Sequence, residues 1–143
     1  MLLSPHFTLA EMTVSETAAR RGIDNTPNEQ IISNLQRLSA GLEEIRSLIG
    51  RPILVSSGFR SQALNQAIGG SAGSVHTQGL AADINAAGLS PRELAMRVMD
   101  SDLVFDQLIL EFGQWVHFGL SANVPRRQVL TIRYDSGYLP GLV

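Results

Sequence analysis

Between Ile31 and Ile49, apolar residues fall at Ile31, Leu35, Leu38, Leu42, Ile45 and Ile49, alternately four and three positions apart. That spacing lines one face of a long α-helix, which Gly50 and Pro52 stop. Thr26-Pro27-Asn28-Glu29 reads as its start. The Thr hydroxyl and Glu carboxylate satisfy free amides, and Pro at the first helical position gives up an N–H that would be unpaired anyway. The same signature recurs at Thr8-Leu9-Ala10-Glu11 and at Ser90-Pro91-Arg92-Glu93, the latter opening a helix from residue 91 to about 99. Gly41 lies inside the long helix, where glycine costs about 1 kcal/mol relative to alanine; close packing against a neighbour would explain it. The apolar stripe itself reads as core.

From Ile53 the period changes. Residues 53–56 read as a buried strand entering a loop at Gly58, and 61–68 as a short helix closed by Gly69-Gly70. Residues 80–85 alternate as a strand, with Ala81, Asp83 and Asn85 on one face and Leu80, Ala82 and Ile84 on the other. Residues 107–112 and 115–120 form two strands around Gly113-Gln114, 128–134 a last strand, and 136–143 a loop-like, loosely held end. Helices first and then strands joined by turns predict an α+β fold, a small antiparallel sheet flanked by helices.

The 143 residues fit a single domain spanning 1–143, and 44% apolar against 17% charged is enough for a hydrophobic core. A net charge of −2 argues against nucleic acid as a partner and against electrostatic docking to an anionic membrane. No run approaches the length of a membrane span. The N-terminus has no basic region followed by an apolar stretch, so the expected product is made in the cytoplasm without a signal peptide. There are no cysteines, so any metal must be held by His, Asp or Glu.

Only three histidines exist: His6, His76 and His117. Asp83 and His117 each interrupt a small apolar strand, where a polar side chain is costly unless it is bonded. His76 sits in the glycine-bracketed loop Gly73-Ser74-Val75-His76-Thr77-Gln78-Gly79. Taken singly, Asp83 reads equally as a loop cap or a partner of Arg60, His117 as a hydrogen-bonded core residue, and His76 as solvated. Taken together, two neutral imidazoles and a carboxylate suit divalent zinc and leave a fourth position for water. A water so bound has a pKa near 7 and supplies hydroxide as nucleophile.

Ser74-x-His76-x-x-Gly79-x-Ala81-x-Asp83 resembles, position for position, the S-x-H-x-x-G-x-A-x-D signature of zinc D-alanyl-D-alanine peptidases. That group includes D-Ala-D-Ala carboxypeptidases, vancomycin-resistance dipeptidases and phage L-Ala-D-Glu endopeptidases, and it shares a core with lysostaphin and the hedgehog signalling domain. Trp115-x-His117 looks like its downstream ligand motif, and Ser56-Ser57-Gly58-Phe59-Arg60 like the segment that delivers an arginine to substrate. The likeness runs from about Leu9 to Leu120 and is greatest to small phage or prophage peptidases. It implies Zn2+ held by His76, Asp83 and His117, and hydrolysis of a peptide bond in peptidoglycan. Arg60 would hold a substrate carboxylate or the oxyanion, and Ser74 would bond substrate. The enzyme would be a monomer acting on the wall after release or delivery, for instance by a phage.

The dipeptidase branch carries its general base as a Glu three residues before the last His ligand, and here that position is Gln114. Glu111 is the nearest carboxylate, and the hedgehog domain has a glutamate at that spacing. The assignment makes a geometric demand. A two-residue turn at Gly113-Gln114 would put Glu111 opposite Val116, on the face away from His117. A three-residue loop, Phe112-Gly113-Gln114, puts it opposite Trp115 and on the His117 face. Other readings stay open: Glu111 as a rim residue, Arg60 as a structural ion pair, Ser74 as a loop cap, and Phe59 and Trp115 as pocket or core. For the whole chain the alternatives are a zinc-stabilised interaction module, or a phage structural protein with a vestigial peptidase core.

Overall fold

The computed structural model describes Met1–Val143. The chain opens on a short antiparallel pair, β1 (Leu2–Ser4) and β2 (Phe7–Thr8), then runs through α1 (Leu9–Thr13), α2 (Glu16–Arg21) and α3 (Glu29–Ile49). There follow β3 (Ile53–Ser57), α4 (Gln62–Ala67), a 3₁₀ turn (Val75–Gln78), β4 (Ala81–Ala86) and α5 (Pro91–Met99). Four strands finish the chain: β5 (Gln107–Glu111), β6 (Trp115–Gly119), β7 (Gln128–Ile132) and β8 (Leu139–Pro140). Strands β3 to β8 form one sheet in the order β3-β4-β6-β5-β7-β8. No helix is long and apolar enough to cross a membrane.

The alternation read from the sequence divides this sheet into two unlike faces. Ala82 and Ile84 of β4, Leu108 and Leu110 of β5, and Val116 and Phe118 of β6 are buried in one core with Leu35, Leu38, Leu42, Ile45 and Ile49 of α3 and Leu94, Ala95 and Val98 of α5. Emptying any one of these leucine sites to alanine would cost about 2–5 kcal/mol, so the helices fix the sheet firmly. Gly41 has the neighbour its position asked for: a Cβ there would lie 3.2 Å from Phe118 Cε2. The opposite face carries Asp83, Ile109, Glu111, Trp115 and His117.

The α+β class is as expected, with four departures in detail. The sheet is not wholly antiparallel, because β7 runs parallel to β5. The returning chain is pinned beside the start of β5, where the Asp106 carboxylate accepts the Arg126 backbone N–H at 3.0 Å and its guanidinium at 2.9 and 2.8 Å. Helix α3 begins at Glu29 rather than Pro27, because Asn28 is the residue whose side chain accepts the Ile31 N–H. Strand β7 stops at Ile132, after which the Arg133 N–H is taken by Ser136 Oγ. The C-terminal stretch is docked rather than loose. Strand β8 pairs with β7, Thr131 Oγ1 donates to the Gly141 carbonyl at 2.8 Å, and Arg92 donates to the carbonyls of Leu142 and Val143.

Candidate active site

His76 is placed by its turn. Ser74 Oγ accepts the His76 N–H at 3.3 Å at the start of the 3₁₀ turn, and Gly79 closes it with φ +72°. A Cβ at Gly79 would lie 3.0 Å from Ile31 Cγ2, so the turn sits hard against α3. His76 Nδ1 lies 2.8 Å from the Gly58 carbonyl oxygen. A carbonyl only accepts, so Nδ1 carries the proton and Nε2 presents a lone pair. That Nε2 lies 3.3 Å from Asp83 Oδ1.

Asp83 and His117 are direct cross-strand partners on β4 and β6. His117 Nδ1 stands 3.3 Å from the same Asp83 oxygen. All three residues are buried, and their donor atoms lie within 4.8 Å of one another. Burial pushes the Asp83 carboxyl up, but its two imidazole neighbours, His117 and His76, outweigh that and hold the group well below the usual carboxylate range. Charge-assisted N–H···O bonds run to about 2.7–2.9 Å. Two imidazoles sharing one oxygen at 3.3 Å are thus organised around a point between them, where a cation fits. Two neutral nitrogens and a carboxylate are a zinc donor set with one coordination position left over. His6 is elsewhere, bonded to Glu43 at 2.7 Å.

An open cleft of about 470 Å³ surrounds the triad and is lined also by Arg60, Ser74, Gln107, Glu111, Trp115 and Tyr138. The connection between β5 and β6 has three residues, with Glu111 paired opposite Trp115. Phe112 and Gly113 both take positive φ, 56° and 63°, to close it. Glu111 therefore shares a face with His117, while Gln114 is an exposed loop residue outside the cleft. The Glu111 carboxylate accepts the indole N–H of Trp115 at 2.8 Å. Burial raises its pKa above the ordinary glutamate value, against the pull of the neighbouring His117 ring and the Trp115 bond.

Arg60 follows β3 and lines the cleft half-buried, its backbone N–H donating to the His76 carbonyl at 3.1 Å. It stands in no ion pair. Its Nε is buried without a partner, and Nη2 makes only a 3.4 Å bond to Ser74 Oγ. Burial lowers its pKa, and the charges of Asp83 and Glu111 work the other way. Ser74 caps the turn and also lines the cleft. Phe59 is core, whereas Trp115 is a half-buried cleft wall.

The model of the peptidase M15 family matches residues 5–119, a span that contains the triad, Arg60, Ser74 and Glu111. The chain belongs to the peptidase M15 family. M15 peptidases are zinc-dependent, and His76, Asp83 and His117 are the cluster in this M15 chain that fits the ion. The comparison with curated proteins gave no match.

Sequence reasoning missed the Gly58 carbonyl that sets the His76 tautomer, since any residue supplies a carbonyl. It missed the Trp115–Glu111 bond, although the three-residue loop that sets the two side by side was one of the alternatives drawn. It also missed Gln107, Ile109, Arg126, Leu130 and Tyr138, which line the same cleft. Of these, Gln107 and Ile109 were recoverable, because they alternate with Glu111 along one strand.

Proposed function

We propose that this M15 chain hydrolyses a peptide bond in the peptide part of bacterial peptidoglycan, as a D-Ala-D-Ala carboxypeptidase or L-Ala-D-Glu endopeptidase does. The observation that carries the reading is the Glu111 carboxylate, turned by the three-residue loop into the same cleft as the His76–Asp83–His117 cluster and Arg60. When bound, zinc polarises the scissile carbonyl and brings the pKa of a water to about 7. Glu111 takes the proton of the attacking water and returns it to the leaving amine, with the Trp115 indole holding one carboxylate oxygen so that the other faces the cleft. Arg60, free of any ion pair, holds a substrate carboxylate or the developing oxyanion. Ser74 Oγ, beside Arg60, is a second contact to substrate. The enzyme reaches the wall after release or delivery, for instance by a phage.

Gln114 is an exposed loop residue outside the cleft, which favours Glu111 over position 114 as the proton acceptor. The test is digestion of purified peptidoglycan by zinc-loaded protein, with mass analysis of the fragments. New peptide ends that vanish with chelator and return with zinc are expected. No fragments under zinc-replete conditions would refute the reading.

A further inference from the structure

The cleft has a wall that comes from outside the matched residues 5–119. Leu130 of β7 lines it, and β8 places Pro140 opposite Leu130 and Leu139 opposite Thr131. Side chains alternate, so Tyr138, two residues before Pro140, turns to the same side as Leu130 and lines the cleft as well. Its position is built rather than accidental. The segment is held by the β7–β8 pairing, by Thr131 Oγ1 donating to the Gly141 carbonyl, and by the Val143 N–H donating to that same hydroxyl. Yet the Tyr138 side chain has no structural employment: the residue is 59% exposed and its hydroxyl makes no hydrogen bond within the chain.

In strand order Arg60 borders the site beyond β3, Asp83 and His117 sit on β4 and β6 with His76 on its turn beside them, and Tyr138 approaches from the far side, next to β8. From β6 to β8 is three strand spacings, about 14 Å, or roughly four residues of extended peptide. A peptide lying across the sheet with its scissile bond at the triad would reach both.

We propose that Tyr138 is a substrate-binding residue whose phenol donates a hydrogen bond to a carbonyl or carboxylate oxygen of the bound peptide, on the side of the triad opposite Arg60. The inference rests on the peptidase reading of the cleft. Partial burial at the cleft and the nearby Glu111 charge push the phenol up, so it stays a neutral donor across the physiological range. Phenol and guanidinium then grip the peptide at two points, one on each side of the bond to be cut.

The chain has a single tryptophan, Trp115, and it stands in the cleft, so its emission reports occupancy. Wild type, Tyr138→Phe and Tyr138→Ala, all zinc-loaded, are compared on purified peptidoglycan stem peptides by fragment release and by Trp115 fluorescence titration. Tyr138→Phe should lower kcat/KM on the order of tenfold, mostly through KM, with weaker binding and unchanged zinc content and Tm. Tyr138→Ala should lose at least as much. Wild-type values for Tyr138→Phe in both assays overturn the proposal and leave the functional reading standing. If wild type releases no fragments, that reading fails, and the titration alone decides Tyr138. Weaker binding by Tyr138→Phe then supports the contact, while equal binding, or none by either protein, overturns it.

Discussion

Replacing Glu111 with glutamine removes a proton acceptor and leaves the surroundings almost untouched. The two side chains are nearly isosteric, and the glutamine carbonyl still accepts the Trp115 indole N–H, which now stands 2.8 Å from the carboxylate. Glu111 is not one of the three clustered metal-binding residues, so zinc content should stay at wild-type level. A positioned general base contributes on the order of 10²–10⁴ in rate, which corresponds to about 3–5.5 kcal/mol of barrier. Trp115→Phe provides the internal scale. It deletes the donor to one carboxylate oxygen together with part of the cleft wall, and a hydrogen bond to a charged group is worth about 1.5–3 kcal/mol. The expected order of kcat is therefore wild type, then Trp115→Phe, then Glu111→Gln. The assay is initial-rate release of peptide fragments from peptidoglycan at equal zinc occupancy. Should Glu111→Gln keep more than about a tenth of wild-type kcat with zinc unchanged, the base is elsewhere.

His76→Ala should bind less than the approximately one zinc equivalent of wild type by metal analysis, whereas His6→Ala, paired with Glu43 away from the cleft, should bind the full amount. Arg60→Ala should raise KM or lower kcat with Tm near wild type, because no ion pair is lost; a large drop in Tm with activity intact in the folded fraction would assign it to the fold. Asp106→Asn should destabilise by about 1–3 kcal/mol at neutral pH, as the amide keeps one acceptor oxygen but loses the charge and the second oxygen that take the Arg126 bonds. The Asp106 pKa is depressed, first by the Arg126 side-chain bond, so this stability is present above the unfolded carboxyl's pKa and is lost as pH falls through the lower folded one. The gap between wild type and Asp106→Asn, followed by denaturant melts, should accordingly close below about pH 4; a gap constant down to pH 2 would contradict the assignment.

What was legible in the sequence was whatever depends on periodicity and on rare residues. The α3 stripe, the two faces of β4, and the His76, Asp83 and His117 cluster all came from residues that are regular or costly where they stand. Boundaries were less legible where two residues compete for one role. Thr26 and Asn28 are both good caps, and the choice fell to Asn28 with Asp24 Oδ1 occupying the Thr26 amide. Pairing across long connections was not legible. The parallel return of β7 depends on Asp106 meeting Arg126 twenty residues on, and charged residues at such a separation carry no local mark. Tyr138 was hidden for the same reason: it leads into β8, which is two residues long and is held by its pairing with β7.

The connection between β5 and β6 gives this hairpin a parity. With Phe112, Gly113 and Gln114 between them, Glu111 and Trp115 face the metal cluster. A change of one residue that is carried into the strand turns Glu111 toward the helices and an aliphatic neighbour toward the cleft. None of the three clustered metal-binding residues would move, since Asp83 and His117 are paired on β4 and β6, and His76 hangs from its own turn against α3. On the proposed role of Glu111, a single-codon insertion or deletion would thus separate metal binding from cutting in one step. Loop lengths that differ by two would leave both intact.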